Sequence, residues 1–150
     1  MADIKSQEER SKNMSAIKSR DTKPEKYIRH ELFMRGYRYR NNVSYVPGHP
    51  DLYLAKYHTA IFVNGCFWHR HAGCKYATIP KTRVDFWLRK FQQNVSRDEI
   101  VKDELRLRGI RRLVIWECTI KKMQKRPDEC EDVLMQVISF LNSEESSLEL

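Results

Sequence analysis

The sequence predicts an α/β fold in which a mixed sheet is flanked by helices, and three features support this prediction. Residues 22–36 and 82–107 have the spacing of apolar side chains that is typical of helices, as does the final stretch 127–141. Between the first two helices, residues 37–65 contain short apolar and β-branched segments, and residues 110–118 form another. Helices and strands in this order form a sheet covered by helices.

The first predicted helix begins at a capping box. Thr22 is the expected N-cap, Glu25 lies three residues later, and Pro24 falls in the first turn. Ile28 and Leu32 share one face and are expected to be buried. The capping box by itself explains why a glutamate occupies position 25.

The strands are shorter and are separated by turn residues. The alternating YRYR, then DLYLA and HTAIFVNG, predict two or three strands, with a turn at Pro47-Gly48 between them. The run IRRLVIWEC predicts a core strand that ends at Cys118. No strand is predicted after the last helix.

The two later helices are predicted from side-chain spacing. In residues 82–107 Ser96 and Glu99 could cap a restart inside the helix. The apolar side chains with helical spacing are Val84, Leu88, Phe91, Val95 and Leu105 in the helix 82–107, and Val133, Val137 and Leu141 in the helix 127–141.

The charge of the chain is unevenly distributed. Its 150 residues carry a net charge of +8, and every one of the 28 lysines and arginines lies at or before Arg126. Residues 1–127 therefore hold 28 basic and 13 acidic side chains, whereas residues 128–150 hold seven acidic ones and no base. A basic excess of this size predicts nucleic-acid binding, because phosphate contacts release counterions. The alternative is a basic surface that serves only solubility.

Other features exclude a membrane protein and favour metal over disulfides. No apolar run approaches the ~20 residues that span a bilayer, and the polar N-terminus does not resemble a secretory signal. A cytoplasmic protein with no membrane partner is expected. In a reducing cytosol, a cluster of cysteines and histidines indicates metal binding.

Four residues are the predicted ligands of a structural zinc ion: Cys66, His71, Cys74 and Cys118. Thiolates and imidazoles together suit tetrahedral Zn²⁺, whose structural sites take four such ligands. The alternative is that these are small buried apolar residues and a surface histidine. Cys130 lies among acids with no neighbouring ligand and is expected to be structural.

A carboxylate site is predicted at Asp51, which follows His49-Pro50 and precedes a strand. A Pro-Asp pair at this place resembles the metal-binding end of the restriction-endonuclease superfamily, and Mg²⁺ prefers carboxylate, carbonyl and water oxygens. The alternative is an aspartate that caps the Pro-Gly turn. The next strand lacks the superfamily's acid and lysine, so His69 is a candidate for proton transfer and Glu25 for a second carboxylate.

Aromatic residues occur among bases at two places. Phe67 and Trp68 lie between two predicted zinc ligands, and Phe86 and Trp87 follow Arg83. Apolar wedges inserted between base steps kink DNA, and flat rings stack on bases. The alternative is that the rings belong to the core.

These motifs resemble one family, the very short patch repair endonucleases. The matching stretches are RSKNMSAIKSRDTKPE, PGHPDLYL, FVNGCFWHRHAGCKYATIPKTRVDFW, NVSRD and VIWEC. Together they extend from about Arg10 to Cys118. The resemblance implies a restriction-endonuclease-like fold and an enzyme that nicks the strand carrying the thymine of a T:G mismatch, which arises when 5-methylcytosine deaminates.

The resemblance also implies a role for each candidate residue. Asp51 holds Mg²⁺ with the main-chain carbonyl of Val63, His69 transfers a proton, and Glu25 lies beside the site. Zinc falls on the same four residues named above. The residues that wedge into the duplex are Phe67, Trp68 and Trp87.

The family also implies an organisation and a set of partners. Residues 1–20 form a flexible basic arm that closes around DNA, residues 21–142 an endonuclease domain, and residues 143–150 an acidic tail. The expected partners are double-stranded DNA with a T:G mismatch and a MutL-type mismatch-repair factor, and the protein is expected to be a monomer.

Two departures from the family pattern keep other functions open. Asn64 stands where members often have a second histidine, and two residues separate His71 from Cys74 where some members have one. One alternative is a restriction-type endonuclease acting on matched duplex. The other is a zinc-stabilised DNA-binding module without catalysis.

Overall fold

A five-stranded mixed sheet forms the centre of the protein. The computed structural model describes residues 20–150, so most of the predicted arm 1–20 lies outside the described residues. The strands follow one another across the sheet in the order β1-β2-β3-β4-β5. The pairs β1–β2 and β2–β3 are antiparallel, whereas β3–β4 and β4–β5 are parallel. The predicted α/β class and mixed sheet are confirmed.

The helices and strands follow the order that the sequence predicts, which is helix, strands, helix, strand, helix, with two additions. The elements in chain order are α1 (Lys23–Met34), β1 (Arg40–Asn41), β2 (Leu52–Leu54), a short 3₁₀ turn (Ala55–Tyr57), β3 (Thr59–Asn64), α2 (Val84–Leu107), β4 (Arg111–Trp116), α3 (Glu117–Lys125), α4 (Pro127–Leu141) and β5 (Ser147–Glu149). The additions are α3 and β5.

The capping box at the start of α1 is confirmed. The Glu25 main-chain N–H donates to the Thr22 hydroxyl, and the Thr22 N–H donates to the Glu25 carboxylate. Ile28 and Leu32 are fully buried, as predicted. They pack in the larger core, which lies between one face of the sheet and helices α1, α3 and α4.

Helix α2 covers the other face of the sheet and differs from the prediction in two ways. It continues without a break through Ser96, and of the five apolar residues with helical spacing only Phe91 and Leu105 are buried. Val84, Leu88 and Val95 are 37–46% exposed. The face that packs on the protein also contains polar residues, so apolar spacing alone misplaced it.

The chain near Cys118 also differs from the prediction. Strand β4 ends at Trp116, and Cys118 is the second residue of α3 rather than the end of a strand. Near the C-terminus Ser147–Glu149 form β5 beside β4. Part of the segment treated above as an acidic tail, residues 143–150, therefore belongs to the sheet, and the domain boundaries remain a prediction.

No helix within residues 20–150 is both long enough and apolar enough to cross a membrane.

The turn before β2 brings Gly48 against α2. Gly48 has φ +82°, and a Cβ there would lie 2.5 Å from Val101 Cγ1 and 2.9 Å from Phe62 Cε1. We expect Gly48→Ala to lower the free energy of unfolding by about 2–4 kcal/mol in urea denaturation, through both strain and overpacking.

Gly109→Ala is the matched control for this substitution. Gly109 has φ +70° but nothing near its Cβ position, so the control reports backbone strain alone. Equal losses for the two variants would contradict the close approach at Gly48.

Candidate functional site

Three groups of side chains surround the carboxyl end of β3. They are a cysteine–histidine cluster in the loop that follows the strand, a carboxylate pair at the start of β2, and a histidine–aspartate pair in a cleft under α2.

The cysteine–histidine cluster consists of the four predicted zinc ligands. One ligand atom from each of Cys66, His71, Cys74 and Cys118 lies within 4.8 Å of the others. Cys66 is buried, its Sγ accepts from the Cys118 main-chain N–H at 3.4 Å, and Cys118 Sγ lies 3.4 Å from His71 Nδ1. The cluster therefore joins the loop after β3 to the first turn of α3.

The donor chemistry of this cluster fits a thiophilic metal ion. Zinc–sulfur bonds of about 2.3 Å in a tetrahedron require ligand atoms roughly 3.5–3.8 Å apart, which small side-chain movements would reach. Without a cation, the pKa of the Cys66 thiol is raised to about 12, chiefly by burial and also by the neighbouring thiols of Cys118 and Cys74, whereas the Cys118 main-chain N–H opposes the shift. The four residues can hold a metal, and Cys130 lies outside the group.

His71 is held in place by stacking as well. Its ring lies on that of Trp116, with centroids 4.2 Å apart and an interplanar angle of 7°. Because Trp116 ends β4, the sheet orients one of the four possible ligands.

The carboxylate pair is formed by Asp51 and Glu25. Asp51 Oδ2 accepts from the Val63 main-chain N–H at 2.7 Å, which ties the start of β2 to β3. Glu25 is 4% exposed, and its Oε2 lies 3.6 Å from Arg29 Nη2. Glu25 is therefore both the capping residue and a neighbour of Asp51, so the two interpretations from the sequence are compatible.

The electrostatics of this pair favour a cation. The pKa of Asp51 is raised to about 7, chiefly by burial and also by the nearby Glu25 carboxylate, whereas the Val63 N–H opposes the shift. A buried and a half-buried carboxylate that repel each other form a donor set suited to a hard divalent ion. In the structure Val63 contacts Asp51 through its N–H, and the predicted role of its carbonyl remains a proposal.

The histidine–aspartate pair lies in a cleft of about 190 Å³ between β3, β4 and α2. His69 Nδ1 lies 2.7 Å from Asp98 Oδ2. Asn64, the residue after Val63, also lines the cleft, as do Arg97 and Arg112. Val63, which binds Asp51, is thus followed in β3 by a residue that lines the cleft of His69.

Sequence reasoning did not identify Asp98 as a site residue. A signal for it exists, because Asp98 lies on the same helical face as Phe91 and Leu105, which are buried. A charged side chain on the packed face of a helix needs a partner, and here the partner is His69.

The predicted wedge residues Phe67, Trp68 and Trp87 pack against one another. Centroid distances within this aromatic cluster are 5.1 Å for Phe67–Trp68, 5.6 Å for Phe67–Trp87 and 5.8 Å for Trp68–Trp87. Phe91 forms its buried base, whereas the three rings themselves are only half-buried. The three rings are therefore partly accessible to solvent while they remain packed on one another and on Phe91.

Basic side chains border the aromatic cluster. The Arg70 guanidinium lies 3.8 Å from the Phe91 ring centroid and donates to the carbonyls of Phe67, Ala77 and Thr78. Arg83 lies over Phe86, which contacts Trp87. Half-exposed rings beside cations form a surface suited to nucleic acid.

Comparisons with known proteins agree on one family. The family described as "DNA mismatch endonuclease Vsr" matches residues 2–75. The "Type II nicking enzyme V.NmeAIP" of Neisseria meningitidis is 44% identical over 121 residues, which cover 81% of this chain and 86% of that protein. The "DNA mismatch endonuclease Vsr" of Escherichia coli K12 is 41% identical over 129 residues, covering 86% and 82%. The "Type II nicking enzyme V.XorIIP" of Xanthomonas oryzae is 37% identical over 123 residues, covering 82% and 90%. The chain therefore belongs to the Vsr family of DNA mismatch endonucleases.

Proposed function

We propose that this protein is a Mg²⁺-dependent endonuclease with a restriction-endonuclease-like fold that nicks the strand carrying the thymine of a T:G mismatch. The observation that supports it most strongly is that Val63 of β3 binds Asp51 of the carboxylate pair, while the next residue, Asn64, lines the cleft that holds the His69–Asp98 pair. The names of the relatives, a mismatch endonuclease and nicking enzymes, support the reaction class.

The carboxylate pair is proposed as the Mg²⁺ site. Asp51 would supply a carboxylate oxygen, Val63 its main-chain carbonyl, and Glu25 a second negative charge. Bound Mg²⁺ would polarise the phosphoryl oxygen and lower the pKa of a water molecule.

His69 is proposed as the group that accepts a proton from water. Its Nδ1 faces Asp98, so a proton on Nδ1 donates to the carboxylate and leaves Nε2 free to accept one. Asp98 would also stabilise the imidazolium that forms. Asn64 cannot transfer a proton, but its amide can hydrogen-bond to a water molecule or a phosphate oxygen.

The aromatic cluster is proposed as the element that reads the mismatch. Phe67, Trp68 and Trp87 are half-buried, so a duplex with weakened stacking could accept their edges between base steps. A T:G pair with a disturbed stack would be opened more easily than a matched pair. Zinc at the cysteine–histidine cluster would hold the loop that carries Phe67 and Trp68.

A panel of labelled duplexes tests the proposal. Duplexes with T:G, T:A or C:G at one position, each labelled on either strand, are incubated with and without Mg²⁺. We expect nicking of the thymine strand of the T:G duplex only, and only with Mg²⁺. Equal cleavage of matched duplex would support a restriction-type enzyme instead, and no cleavage of any duplex would support a DNA-binding module.

His69→Ala provides the matched mechanistic test. We expect it to slow nicking about 10²–10⁴-fold in single-turnover assays, because the proton acceptor is removed. His30→Ala, on the exposed side of α1, should nick at the unaltered rate. Similar rates for the two variants would rule out His69 as the acceptor.

A further inference from the structure

A buried arginine on α1 lies directly behind the carboxylate pair. The Arg29 side chain is 9% exposed, and its Nη2 donates to the Asp51 main-chain carbonyl at 3.1 Å. The same Nη2 lies 3.6 Å from Glu25 Oε2. Arg29 thus contacts both members of the pair, one through its main chain and the other through its carboxylate.

Two further residues fix the direction of the Arg29 guanidinium. Asp21 Oδ1 accepts from Arg29 Nη1 at 2.7 Å and from Asn42 Nδ2 at 2.9 Å. Asn42 Oδ1 accepts from Arg29 Nη2 at 3.3 Å, and the Asn42 main-chain N–H donates to the Asp51 carbonyl at 3.3 Å. We call Asp21, Arg29 and Asn42 the arginine brace.

The backbone has the same local geometry at both ends of the brace. Asp21 has φ +55° and Asn42 has φ +48°, in the left-handed region that aspartate and asparagine enter more readily than other residues with a side chain. In these conformations both side chains bind the Arg29 guanidinium. Among the described residues none accepts a hydrogen bond from the buried Arg29 Nε. The hydrogen bonds of the guanidinium are therefore made by its two terminal nitrogens, Nη1 and Nη2.

We propose that the arginine brace positions Asp51 for a divalent cation, with Arg29 as the positioning residue and Asp21 as the group that aligns it. Arg29 fixes the carbonyl of Asp51, and its positive charge offsets part of the repulsion between the Asp51 and Glu25 carboxylates. The inference rests on the proposed function in taking the carboxylate pair as a cation site. It adds a link from residue 21, just before α1, to that site.

Metal affinity is the measurement that separates positioning from a structural role. Mn²⁺, a spectroscopic substitute for Mg²⁺, is titrated into the protein without DNA, and the unbound ion is followed by electron paramagnetic resonance. Groups that orient metal ligands typically change metal affinity 10–100-fold when altered. We expect Arg29→Lys, which keeps the charge but loses the fork of donors, to weaken Mn²⁺ binding about 10-fold. Its nicking rate should recover at high Mg²⁺.

Arg35→Lys is the matched control. Arg35 caps the C-terminus of the same helix and also contacts two acids, Glu31 and Glu131, each at 2.6 Å, but neither belongs to the carboxylate pair. We expect this variant to bind Mn²⁺ as the unaltered protein does. Asp21→Asn, at a residue whose side chain is 47% exposed, should weaken binding by a smaller factor of about 3.

The outcomes separate a failure of the inference alone from a failure of the proposed function. Unchanged Mn²⁺ affinity in folded Arg29→Lys would overturn the inference while leaving the metal site intact. If Arg29→Lys does not fold, unchanged affinity in Asp21→Asn overturns it instead. An unaltered protein that nicks DNA but binds no Mn²⁺ at the carboxylate pair would overturn both proposals.

Discussion

Asp51→Asn should abolish nicking, with a loss of about 10³-fold or more, and should nevertheless stabilise the protein in metal-free buffer at pH 8. The loss follows because an amide lacks the charge needed to hold Mg²⁺ and to support charge stabilisation in the transition state. Single-turnover nicking with Mg²⁺ measures it, and gel-shift binding in Ca²⁺ should show that DNA affinity is retained.

The gain in stability follows from the raised pKa of Asp51. Folding raises this pKa from 3.8 to about 7, chiefly through burial, so the folded state favours the protonated carboxyl. The stability that the protonated Asp51 carboxyl contributes to the fold is fully present below pH ~4 and is lost as the pH rises through ~7. At pH 8 the charged carboxylate costs the metal-free protein about 2–4 kcal/mol, which asparagine avoids.

Urea denaturation at pH 4 and pH 8 checks the sign of this effect. Asp51→Asn should match the unaltered protein at pH 4 and exceed it at pH 8, and added Mg²⁺ should stabilise only the unaltered protein. Asp132→Asn, on the exposed part of α4, serves as the control. If Asp51→Asn is less stable than the unaltered protein at pH 8, the charged Asp51 carboxylate does not destabilise the metal-free fold.

Cys74→Ser should remove the metal from the cysteine–histidine cluster and lower the free energy of unfolding by about 4 kcal/mol or more. Binding of structural zinc to a folded site contributes directly to folding, and loss of one ligand in four forfeits most of it. The measurements are zinc content by mass spectrometry and thermal unfolding with and without a chelator.

Cys130→Ser is the matched control for this substitution. Cys130 is half-buried like Cys74, but it lies on α4 and accepts a hydrogen bond from the Tyr27 hydroxyl at 3.1 Å. It should keep its zinc and remain sensitive to the chelator. If the unaltered protein carries no zinc and ignores the chelator, the cluster is not a structural metal site.

Residue types and local spacing were enough to predict much of the fold. The α1 capping box and the extent of α4 are confirmed because both depend on neighbouring residues. Strand β5 has only three residues, and it exists because it pairs with β4, which is distant in sequence. Helix α3 follows β4 without an intervening turn signal, so IWEC was interpreted as the end of a strand.

In the candidate site, too, features that depend on residue type were predicted, whereas those that depend on contacts distant in sequence were not. The four cysteine–histidine residues were identified because their side chains have a narrow chemistry, and the structure brings them together. Asp98 was missed because its importance depends on meeting His69, 29 positions away in the chain. The exposed Val84 and Leu88 show the opposite error, since apolar character alone does not determine which helical face is buried.

The loop from Cys66 to His71 has a further consequence for discrimination between substrates. Its ends are two predicted metal ligands, and between them lie Phe67, Trp68 and His69, with the Trp68 carbonyl bound by Asn94 of α2. We expect a loop that is restrained at these points to move as one unit. In the proposed function, a duplex whose base stack does not admit the rings of Phe67 and Trp68 would also keep His69 away from the phosphate that is to be cleaved. Mismatch recognition would then act as a kinetic checkpoint on turnover, and matched DNA could bind tightly without being cut.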